Sequence, residues 1–463
     1  MSHTLTPGTA VSPIDGRYGS KTAEFSSIFS EQALVRYRLI VEIEYLIFFS
    51  RNLNLLRNFT SSEVDLLRKM YIEFSKENFL AIQQHEKKTN HDVKAVEYFI
   101  KDMLTGTSLE DVKAFVHIGR TSEDINNLAY ALMLRAGTQV LNEHYQNIVQ
   151  LLESIYEEHM VTPMLSMTHG QPASPTTAGW EMKVFATRME KYLNQLLNFR
   201  LSVKCNGATG GDNALALAYP HVDWRAFSKS FTEYLEVTYD GEKYFMTFEH
   251  NVFTTQIEPH DTYAELFGIL SMLNNILLDF CRDMWLYISR GVITQIPVVD
   301  EIGSSAMPQK INPINFENAE GNLGLANSLF NHFCNKLPIS RMQRDLSDST
   351  VERNFGVAYS YTLIALKAIQ AGMKRVYVNT EYLKAELEQN PEVISEAYQV
   401  ILRDNGVEDG YEILKDIVRG KKVTLEVLHS FVEHLFEKEI IDRDLANSLL
   451  FITPSSYIGN RKT

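Results

Sequence analysis

Cysteine is scarce in this chain of 463 residues, and its spacing excludes several kinds of site. The three cysteines, Cys205, Cys281 and Cys334, lie far apart and form no Cys-x-x-Cys pair. This spacing argues against a structural zinc site or a disulfide framework, and it is typical of a reducing compartment. The sequence also lacks any run of about 18 apolar residues, so we expect no transmembrane helix.

Positive charge is also in short supply, since 44 Lys and Arg stand against 58 Asp and Glu and give a net charge of −14. An acidic surface repels phosphate backbones and anionic lipid, so we expect neither nucleic acid nor a membrane as a partner. The N-terminal residues lack a basic stretch followed by an apolar run, so we expect no signal peptide and a cytoplasmic location. An anionic ligand would need a locally positive pocket.

The stretch 303–313 has the sequence GSSAMPQKINP and is the most unusual segment of the chain. Pro308 and Pro313 remove backbone donors and disfavour helix in the residues before them. We therefore expect a loop between helices that carries hydroxyl groups, among them Ser304, and the cation of Lys310. Composition alone leaves two interpretations open, a solvated connector and a loop that carries chemistry.

Long apolar stripes predict an all-α protein. No proline occurs from Ser122 to Thr162, and a helix of about 40 residues spans about 60 Å, which is longer than a compact domain is wide. Such a helix needs partners in a bundle or across subunits. Further helices are predicted at about Pro175–Lys204, Asp261–Arg290 and Pro313–Lys336. We expect an N-terminal helical domain (1–120), a central long-helix bundle domain (121–375) and a small C-terminal helical domain (376–463).

Two polar segments at predicted helix starts are candidates for binding an anion. In the segment 89–92, Asn90 or Asp92 can cap the next helix, which leaves His91 beside free backbone N–H groups. In the segment 340–353, three arginines accompany Ser349 or Thr350 as the cap of a helix that continues to Val376. The alternatives are an exposed loop histidine and a surface turn whose arginines pair with neighbouring aspartates.

The β-strand signal is confined to residues 237–248, where Asp240-Gly241 lies between two short runs of β-forming residues and predicts a hairpin. The segment 168–172, Thr-His-Gly-Gln-Pro, is predicted to be a loop. The helix that follows it is expected to begin at Pro175 and to bury Trp180.

The loop at 303–313 closely resembles the signature loop of the fumarase/aspartase superfamily. Within that superfamily, five other segments resemble the adenylosuccinate lyase family, in order and spacing over nearly the whole chain: Arg17-Tyr18, 89–92, 121–124, 168–172 and 344–353. The similarity is greatest to the bacterial type, which begins with Val-Ser-Pro-x-Asp-Gly-Arg-Tyr, here residues 11–18.

The resemblance implies a three-domain, all-α lyase with a central bundle of long helices. It implies β-elimination of fumarate from adenylosuccinate, to give AMP, and from the succinylated aminoimidazole carboxamide ribotide, to give the free carboxamide, in purine nucleotide biosynthesis. The implied substrate is thus a small anionic nucleotide. No metal or organic cofactor is implied. The family is a homotetramer whose active sites are shared between subunits.

The resemblance also implies roles for individual residues. Ser304 would be the general base, and its choice over Ser305 rests on the resemblance alone. His169 would be the general acid, oriented by Glu317. The fumaryl carboxylates would be held by Lys310 and Asn312. The residues implied in binding the rest of the substrate are Arg17, Tyr18, Asn90, His91, Asp92, Thr121, Ser122, Gln256, Arg344, Ser349, Thr350 and Arg353.

Two departures and two alternatives accompany this assignment. Gln309 stands where many family members have His, and Asn318 stands where some have a phosphate-binding Arg, so Asn318 receives no role. One alternative is another lyase of the superfamily, such as argininosuccinate lyase or fumarase, but the arginine-rich segment and the Thr-His-Gly-Gln-Pro loop argue against it. The other is a catalytically silent helical scaffold, which would not need Ser304, Lys310 and His169 together.

Overall fold

A computed structural model describes residues 6–238, 241–298, 306–420 and 423–461. The chain is predominantly helical, which confirms the predicted fold class. Ser304 and Ser305 lie outside the described residues. The α-helices are α1 Gly19–Phe29, α2 Glu31–Asn52, α3 Ser61–Ile72, α4 Lys76–Thr89, α5 Asp92–Leu104, α6 Ser122–His159, α7 Ala178–Leu197, α8 Asn213–Ala218, α9 Trp224–Thr238, α10 Asp261–Arg290, α11 Ile314–Lys336, α12 Ser347–Glu352, α13 Phe355–Met373, α14 Thr380–Glu388, α15 Ser395–Asp404, α16 Gly410–Val418, α17 Leu425–Glu437 and α18 Arg443–Leu450.

Short strands pair in three two-stranded sheets of the described chain. The first and third sheets are antiparallel, and the second is parallel. In order, the pairs are β1 Pro163–Thr168 with β2 Gln171–Thr177, β3 Arg200–Val203 with β4 Thr247–His250, and β5 Ile293–Gln295 with β6 Val376–Val378. Two 3₁₀ helices, Glu110–Phe115 and Pro391–Ile394, complete the elements.

The chain forms two compact units, each assembled from three separate segments. The first unit comprises Met1–Tyr145, Lys191–Leu278 and Ala319–Lys367, and the second comprises Gln146–Glu190, Asp279–Asn318 and Ala368–Thr463. These units are groups of contacting segments and not consecutive stretches of chain. They therefore do not test the predicted division at residues 120 and 375, which stays a prediction.

Helix α2 is largely buried in the first unit, with 17 of its 22 residues buried between Ala33 and Ser50. Ser30 caps it, because its side chain accepts a hydrogen bond from the backbone N–H of Ala33. An aromatic cluster then joins α2 to α9, with Tyr45 and Phe48 against Phe231 at ring-centroid distances of 5.3 and 5.6 Å. The helix also carries charged residues into this interior, so each of them must find a partner there.

Helix α6 has 38 residues, about 57 Å at 1.5 Å per residue, and it confirms the long helix predicted from Ser122. Within the first unit it is linked to other helices by buried polar groups. Tyr145 donates to Oδ1 of Asn274 on α10 at 2.7 Å, and Nδ2 of Asn274 donates to Asn327 on α11 and Thr362 on α13, both at 3.1 Å. These bonds fix which helices neighbour one another, since a shifted helix would leave buried amides unpaired.

The second unit contains the C-terminal helices and the β1–β2 hairpin. Leu165 of β1 lies in the same buried apolar cluster as residues of the C-terminal helices, among them Ile394, Tyr398 and Leu428. The hairpin is therefore anchored in the core of the C-terminal helices by its first strand.

Several local predictions are wrong. Within the described part of 237–248 no hairpin forms, because α9 continues through Thr238 and Thr247–His250 pairs in parallel with Arg200–Val203. The segment around His169 is not a plain loop but the turn of the β1–β2 hairpin, so α7 begins at Ala178 and ends at Leu197. Trp180 is 39% exposed, and the guanidinium of Arg461 lies 5.1 Å from its ring centroid.

Three predicted helix details also change. Asn90 is the left-handed C-cap of α4, with φ of 50°, and His91, not Asn90 or Asp92, caps α5. Ser349 and Thr350 lie inside the short helix α12, and the helix predicted to follow them is the separate α13, which ends at Met373. By contrast, the predicted helix Asp261–Arg290 is confirmed with its bounds.

Helix α10 is the one described helix whose length and composition would allow it to cross a membrane. In its most apolar window, 56% of the residues are buried inside the protein, as in a core helix of a soluble protein. Its apolar character is thus explained by packing.

Candidate active site

The start of α6 is fixed by the buried carboxylate of Asp124. It accepts hydrogen bonds from the backbone N–H of Thr121 at 2.9 Å, from Nζ of Lys204 at 2.6 Å and from the backbone N–H of Asn206 at 3.0 Å. Burial alone would raise the pKa of Asp124, but Lys204 and the other donors hold this pKa below its ordinary value. Thr121 is thereby held in place, and its Oγ1 accepts from Nε2 of Gln256 at 3.4 Å. The structure thus brings together two predicted substrate-binding residues.

His91 is held at the start of α5, close to the start of α6. Its Nδ1 accepts from the backbone N–H of Lys94 at 3.2 Å, which turns Nε2 toward Oγ of Ser122 at 3.5 Å. The imidazole therefore replaces the usual Ser, Thr, Asp or Asn cap, and its second nitrogen is aimed at another predicted binding residue. His91 is exposed, so a ligand can reach it.

The arginine-rich segment is organised by α12. Arg353 donates from Nη1 to Oγ of Ser349 at 2.7 Å, which confirms the predicted i, i+4 pair, and from Nη2 to Oδ2 of Asp92 at 3.3 Å. Arg344 pairs with Glu123 at 3.0 Å and with Asp348 at 2.9 Å. The segments 89–92, 121–124 and 344–353 thus meet within the first unit.

Three buried carboxyl groups, those of Glu123, Asp348 and Glu352, lie near Arg344. Burial, followed by the neighbouring Glu123 and Asp348, raises the pKa of Glu352 well above its ordinary value. Burial also raises the pKa of Glu123 and of Asp348, while Arg344 opposes the shift in both. Arg344 therefore offsets only part of the cost of burying three carboxyl groups, whose pKa values remain raised.

A cleft of about 680 Å³ opens beside Arg353 in the first unit. It is lined by Ser12 to Asp15 of the N-terminal segment, by the inner face of α1 and by the start of α13. Arg17 and Tyr18 directly precede α1, so they follow the lining segment in the chain. The volume falls in the range of small-molecule sites. A second cleft of the same volume, between residues 192–200 and 265–272, carries none of the predicted site residues.

His169 and Gly170 form the two-residue turn of the β1–β2 hairpin, with φ of 54° and 70°. Two positive φ values are those of a type I′ turn, which Gly adopts without strain and which His tolerates better than most residues. The imidazole is exposed at the tip of the hairpin, and within the described chain no hydrogen bond engages it. It is thus presented on a rigid support with both nitrogens available.

The other residues with implied chemistry lie, like His169, in the second unit. Lys310 is exposed, and among the described residues no hydrogen bond or ion pair engages its ammonium. Asn312 is half-buried just before α11. Glu317 accepts from Nε1 of Trp285 at 3.1 Å and makes no hydrogen bond to His169 within the described chain, so its orienting role stays a prediction. Glu317 lies in the first turn of α11.

No metal-binding group is evident in the parts of the chain that the structure describes. Within them, no three or more His, Cys, Asp and Glu residues lie together in a way that could hold a metal ion. The three cysteines are free thiols. The expected independence from metal and organic cofactors stays a prediction.

Sequence reasoning missed three buried charged residues of the first unit: Arg38, Asp124 and Lys204. Asp124 belongs to the polar segment 121–124, but Arg38 interrupts the apolar helix α2 and Lys204 lies between Val203 and Cys205. A charged residue within such a stretch was the available signal, because it must find a partner when the stretch is buried.

Comparison with known sequences places the whole chain in one family. A lyase family model matches residues 16–326, and a model described as adenylosuccinate lyase C-terminal matches residues 340–458. An adenylosuccinate lyase of Vibrio cholerae is 46% identical over 456 residues, which cover 97% of both chains. Those of Legionella pneumophila and Escherichia coli are 45% and 42% identical and cover 97–98% of each chain. The chain belongs to the adenylosuccinate lyase family.

Membership in the adenylosuccinate lyase family agrees with the fold. A fumarate lyase from Mesorhizobium is 16% identical with a TM-score of 0.72, and the similarity covers 95% of each chain. A 3-carboxy-cis,cis-muconate lactonizing enzyme from Pseudomonas putida is 18% identical with a TM-score of 0.74 and covers 95% of this chain and 94% of its own. At this identity the two structures support the lyase fold and no particular activity.

Near Gln256, the carboxyl group of Glu258 is buried and accepts from the backbone N–H of His260 at 2.7 Å and from Asn251 at 3.1 Å. Burial raises the pKa of Glu258 from its ordinary value near 4.5 to about 7. Between these two values the folded protein holds a proton that the unfolded chain has released. The contribution of this group to stability therefore falls as the pH rises through this window, by about 3 kcal/mol.

We predict that the stability of Glu258→Gln relative to the unsubstituted protein will increase when the pH is raised from 5 to 8, because Gln cannot ionise. Thermal unfolding at both pH values would measure the difference. Glu249→Gln is the matched control, since Glu249 is exposed on the nearby strand β4 and its substitution should give the same difference at both pH values. An unchanged difference for Glu258→Gln would contradict the prediction.

Proposed function

We propose that this chain releases fumarate from adenylosuccinate, leaving AMP, and from the succinylated aminoimidazole carboxamide ribotide, leaving the free carboxamide, in purine nucleotide biosynthesis. The observation that carries the proposal is the convergence of His91, Ser122 and Arg353 within the first unit. Their segments meet through Asp92 and the starts of α5 and α6, and a cleft of nucleotide size opens beside Arg353. Cations and helix starts of this kind bind phosphate.

In the proposed reaction, Ser304 removes the proton from the carbon next to a carboxylate of the succinyl group. The electron pair left on that carbon spreads into the carboxylate, which becomes a dianion held by Lys310 and Asn312. The electron pair then returns to form the double bond of fumarate as the C–N bond breaks, and His169 protonates the leaving nitrogen. The exposed ammonium of Lys310 and the imidazole at the hairpin tip are consistent with these roles.

A serine is a weak base, so the proposed role of Ser304 needs support from its surroundings. The ammonium of Lys310, six residues further along the same loop, would favour the alkoxide, and so would backbone N–H groups of the loop. This assistance is part of the proposal.

The competing functions receive less support. Full-length identity of 42–46% to adenylosuccinate lyases favours that activity over argininosuccinate lyase or fumarase activity. A silent scaffold would not need an imidazole presented on a type I′ turn or a lysine exposed on a proline-bounded loop.

We also propose a homotetramer with shared active sites in the cytoplasm, and three domains divided near residues 120 and 375. The 38-residue helix α6 supports an assembly through a helix bundle, since much of a 57 Å helix needs covering. The proposed partner is a small anionic nucleotide, and neither nucleic acid nor a membrane is proposed.

The reaction can be tested directly. We expect the purified chain to release one fumarate per adenylosuccinate and to keep this activity in EDTA, because no metal takes part in the proposed steps. Chromatography of fumarate and AMP would measure both products. Turnover of argininosuccinate or malate without turnover of adenylosuccinate would overturn the proposal, and loss of activity in EDTA would overturn its metal-free mechanism.

Replacement of the proposed base should separate chemistry from binding. We expect Ser304→Ala to lower kcat by about 10²–10⁴-fold while adenylosuccinate still binds, which calorimetry can measure. Ser305→Ala is the matched control and should retain turnover. Retained activity in Ser304→Ala, or its loss in Ser305→Ala instead, would assign the base elsewhere.

Shared active sites predict that inactive variants restore one another. If Ser304 and His169 of one site come from different subunits, mixing Ser304→Ala with His169→Ala should generate some intact sites and regain activity. Each variant dissociated and reassociated alone is the control. A mixed assembly that forms, as shown by native mass spectrometry, but regains no activity would mean that both residues of a site come from one subunit.

A further inference from the structure

Arg38 lies at the centre of the segments that meet in the first unit. Its side chain, on α2, is only 2% exposed. Nε donates to Oδ1 of Asn126 on α6 at 2.9 Å, and Nη2 donates to Oδ2 of Asp92 on α5 at 2.8 Å. Nη1 is buried without a hydrogen-bond partner among the described residues. A guanidinium this deeply buried cannot itself reach a ligand in solvent, so its effect must pass through the groups that it contacts.

The most direct of those groups is Asp92, whose carboxylate is shared between two arginines. The same oxygen, Oδ2, accepts from Arg38 at 2.8 Å and from Arg353 at 3.3 Å. Arg38 makes the shorter contact and is desolvated, whereas Arg353 is 38% exposed and lines the 680 Å³ cleft. Arg38, Asp92 and Arg353 together carry a net charge of about +1, and Arg353, the exposed member of the trio, also lies 3.8 Å from the exposed carboxylate of Glu31.

Charge compensation explains why this arrangement matters. Burial alone would raise the pKa of Asp92. Arg38, with smaller contributions from other donors, holds this pKa below its ordinary value. Asp92 is therefore a full carboxylate at neutral pH. Without Arg38, its nearest remaining cation would be Arg353, and a neutralised Arg353 attracts a phosphate less strongly.

We propose that Arg38 is a positioning residue that neutralises Asp92 and so keeps the charge of Arg353 available to the phosphate group of the substrate. This inference rests on the proposed function, since it needs a phosphate-bearing ligand beside Arg353. It adds to that function a residue that touches no substrate and yet sets the affinity of the phosphate site.

The second contact of Arg38, with Asn126, connects it through hydrogen bonds to Arg344. Asn126, which accepts from Arg38, donates from Nδ2 to Oε1 of Glu123 at 2.8 Å. The same oxygen of Glu123 pairs with Arg344 at 3.0 Å. A lysine at position 38 could balance the charge of Asp92 but has no planar fork with which to hold both partners.

Binding of inorganic phosphate, measured by calorimetry on the full chain, tests the proposal without turnover. We expect Arg38→Met to weaken phosphate binding at least tenfold and to raise KM for adenylosuccinate more than it lowers kcat. Arg38→Lys, which restores the charge, should bind phosphate within about threefold of the unsubstituted protein. Adding Asp92→Asn to Arg38→Met should recover most of the lost phosphate affinity, because the unbalanced carboxylate is gone.

Arg68→Met is the matched control. Arg68 also pairs with a buried carboxylate of α2, Glu44, at 2.9 Å, but neither residue belongs to the arginine-rich site. Its removal should cost stability and leave phosphate affinity unchanged. Thermal unfolding of each variant shows that it is folded, and if Arg38→Met fails to fold, comparison of Arg38→Lys with Arg38→Gln supplies the same charge test.

Three results would overturn the inference: no phosphate binding by the unsubstituted protein, unchanged affinity on loss of the charge at position 38, or no recovery on adding Asp92→Asn. A purely structural role for Arg38 predicts the last of these, since a second buried substitution would add to the damage. Fumarate release is measured separately. If the unsubstituted protein turns over adenylosuccinate but Arg38→Met binds phosphate with unchanged affinity, the inference about Arg38 is wrong and the proposed function stands. If the variants show the expected pattern of phosphate affinity but the unsubstituted protein releases no fumarate, the proposed function is wrong and the inference about the phosphate site stands.

Discussion

The carboxylate of Asp124 is the interaction on which the candidate site depends most. It lies at the start of the longest helix, fully buried, and it takes donors from Thr121, Lys204 and Asn206. An ionised carboxylate cannot remain in such a place unless its oxygens are satisfied. The requirement fixes the segment 204–207 against the first turn of α6, where the acidic side chain also complements the helix dipole. The hydrogen bonds of Asp124 therefore determine the positions of Thr121 and Ser122.

Other buried charged groups of the first unit also need partners, and this need accounts for the arrangement of charge in the unit. Arg38 balances Asp92, Arg344 pairs with Glu123 and Asp348, and burial raises the pKa of Glu352 well above its ordinary value. Removing one partner from such a pair costs more than the pair contributes, because the other charge is left buried. The pairs therefore specify which segments meet. The same pairs leave Arg353 exposed beside a cleft, and an exposed cation in a cleft is what an anionic ligand needs for binding.

Apolar periodicity predicts the long helices correctly, whereas several helix caps and the pairing of strands differ from the predictions. The long helix from Ser122 and the helix Asp261–Arg290 are confirmed, since both follow from apolar periodicity among neighbours in the chain. The hairpin predicted within 237–248 is wrong because Thr247 of β4 pairs with Arg200 of β3, 47 residues earlier, and no local pattern encodes that choice. The partners of Arg38 are 54 and 88 residues away, so its charge marked a buried pair without identifying it. The family resemblance supplied roles that spacing alone left open.

The residues proposed to hold the phosphate and those proposed to perform the elimination belong to different units of the chain. His91, Ser122 and Arg353 are in the first unit, whereas His169 and Lys310 are in the second. The proposed substrate also has two ends, a phosphate and a succinyl group, which carry charge at a distance from each other. Binding energy gained at the phosphate can then position the succinyl group against His169 and Lys310, which makes the charge of Arg353 relevant to a reaction in which it takes no direct part.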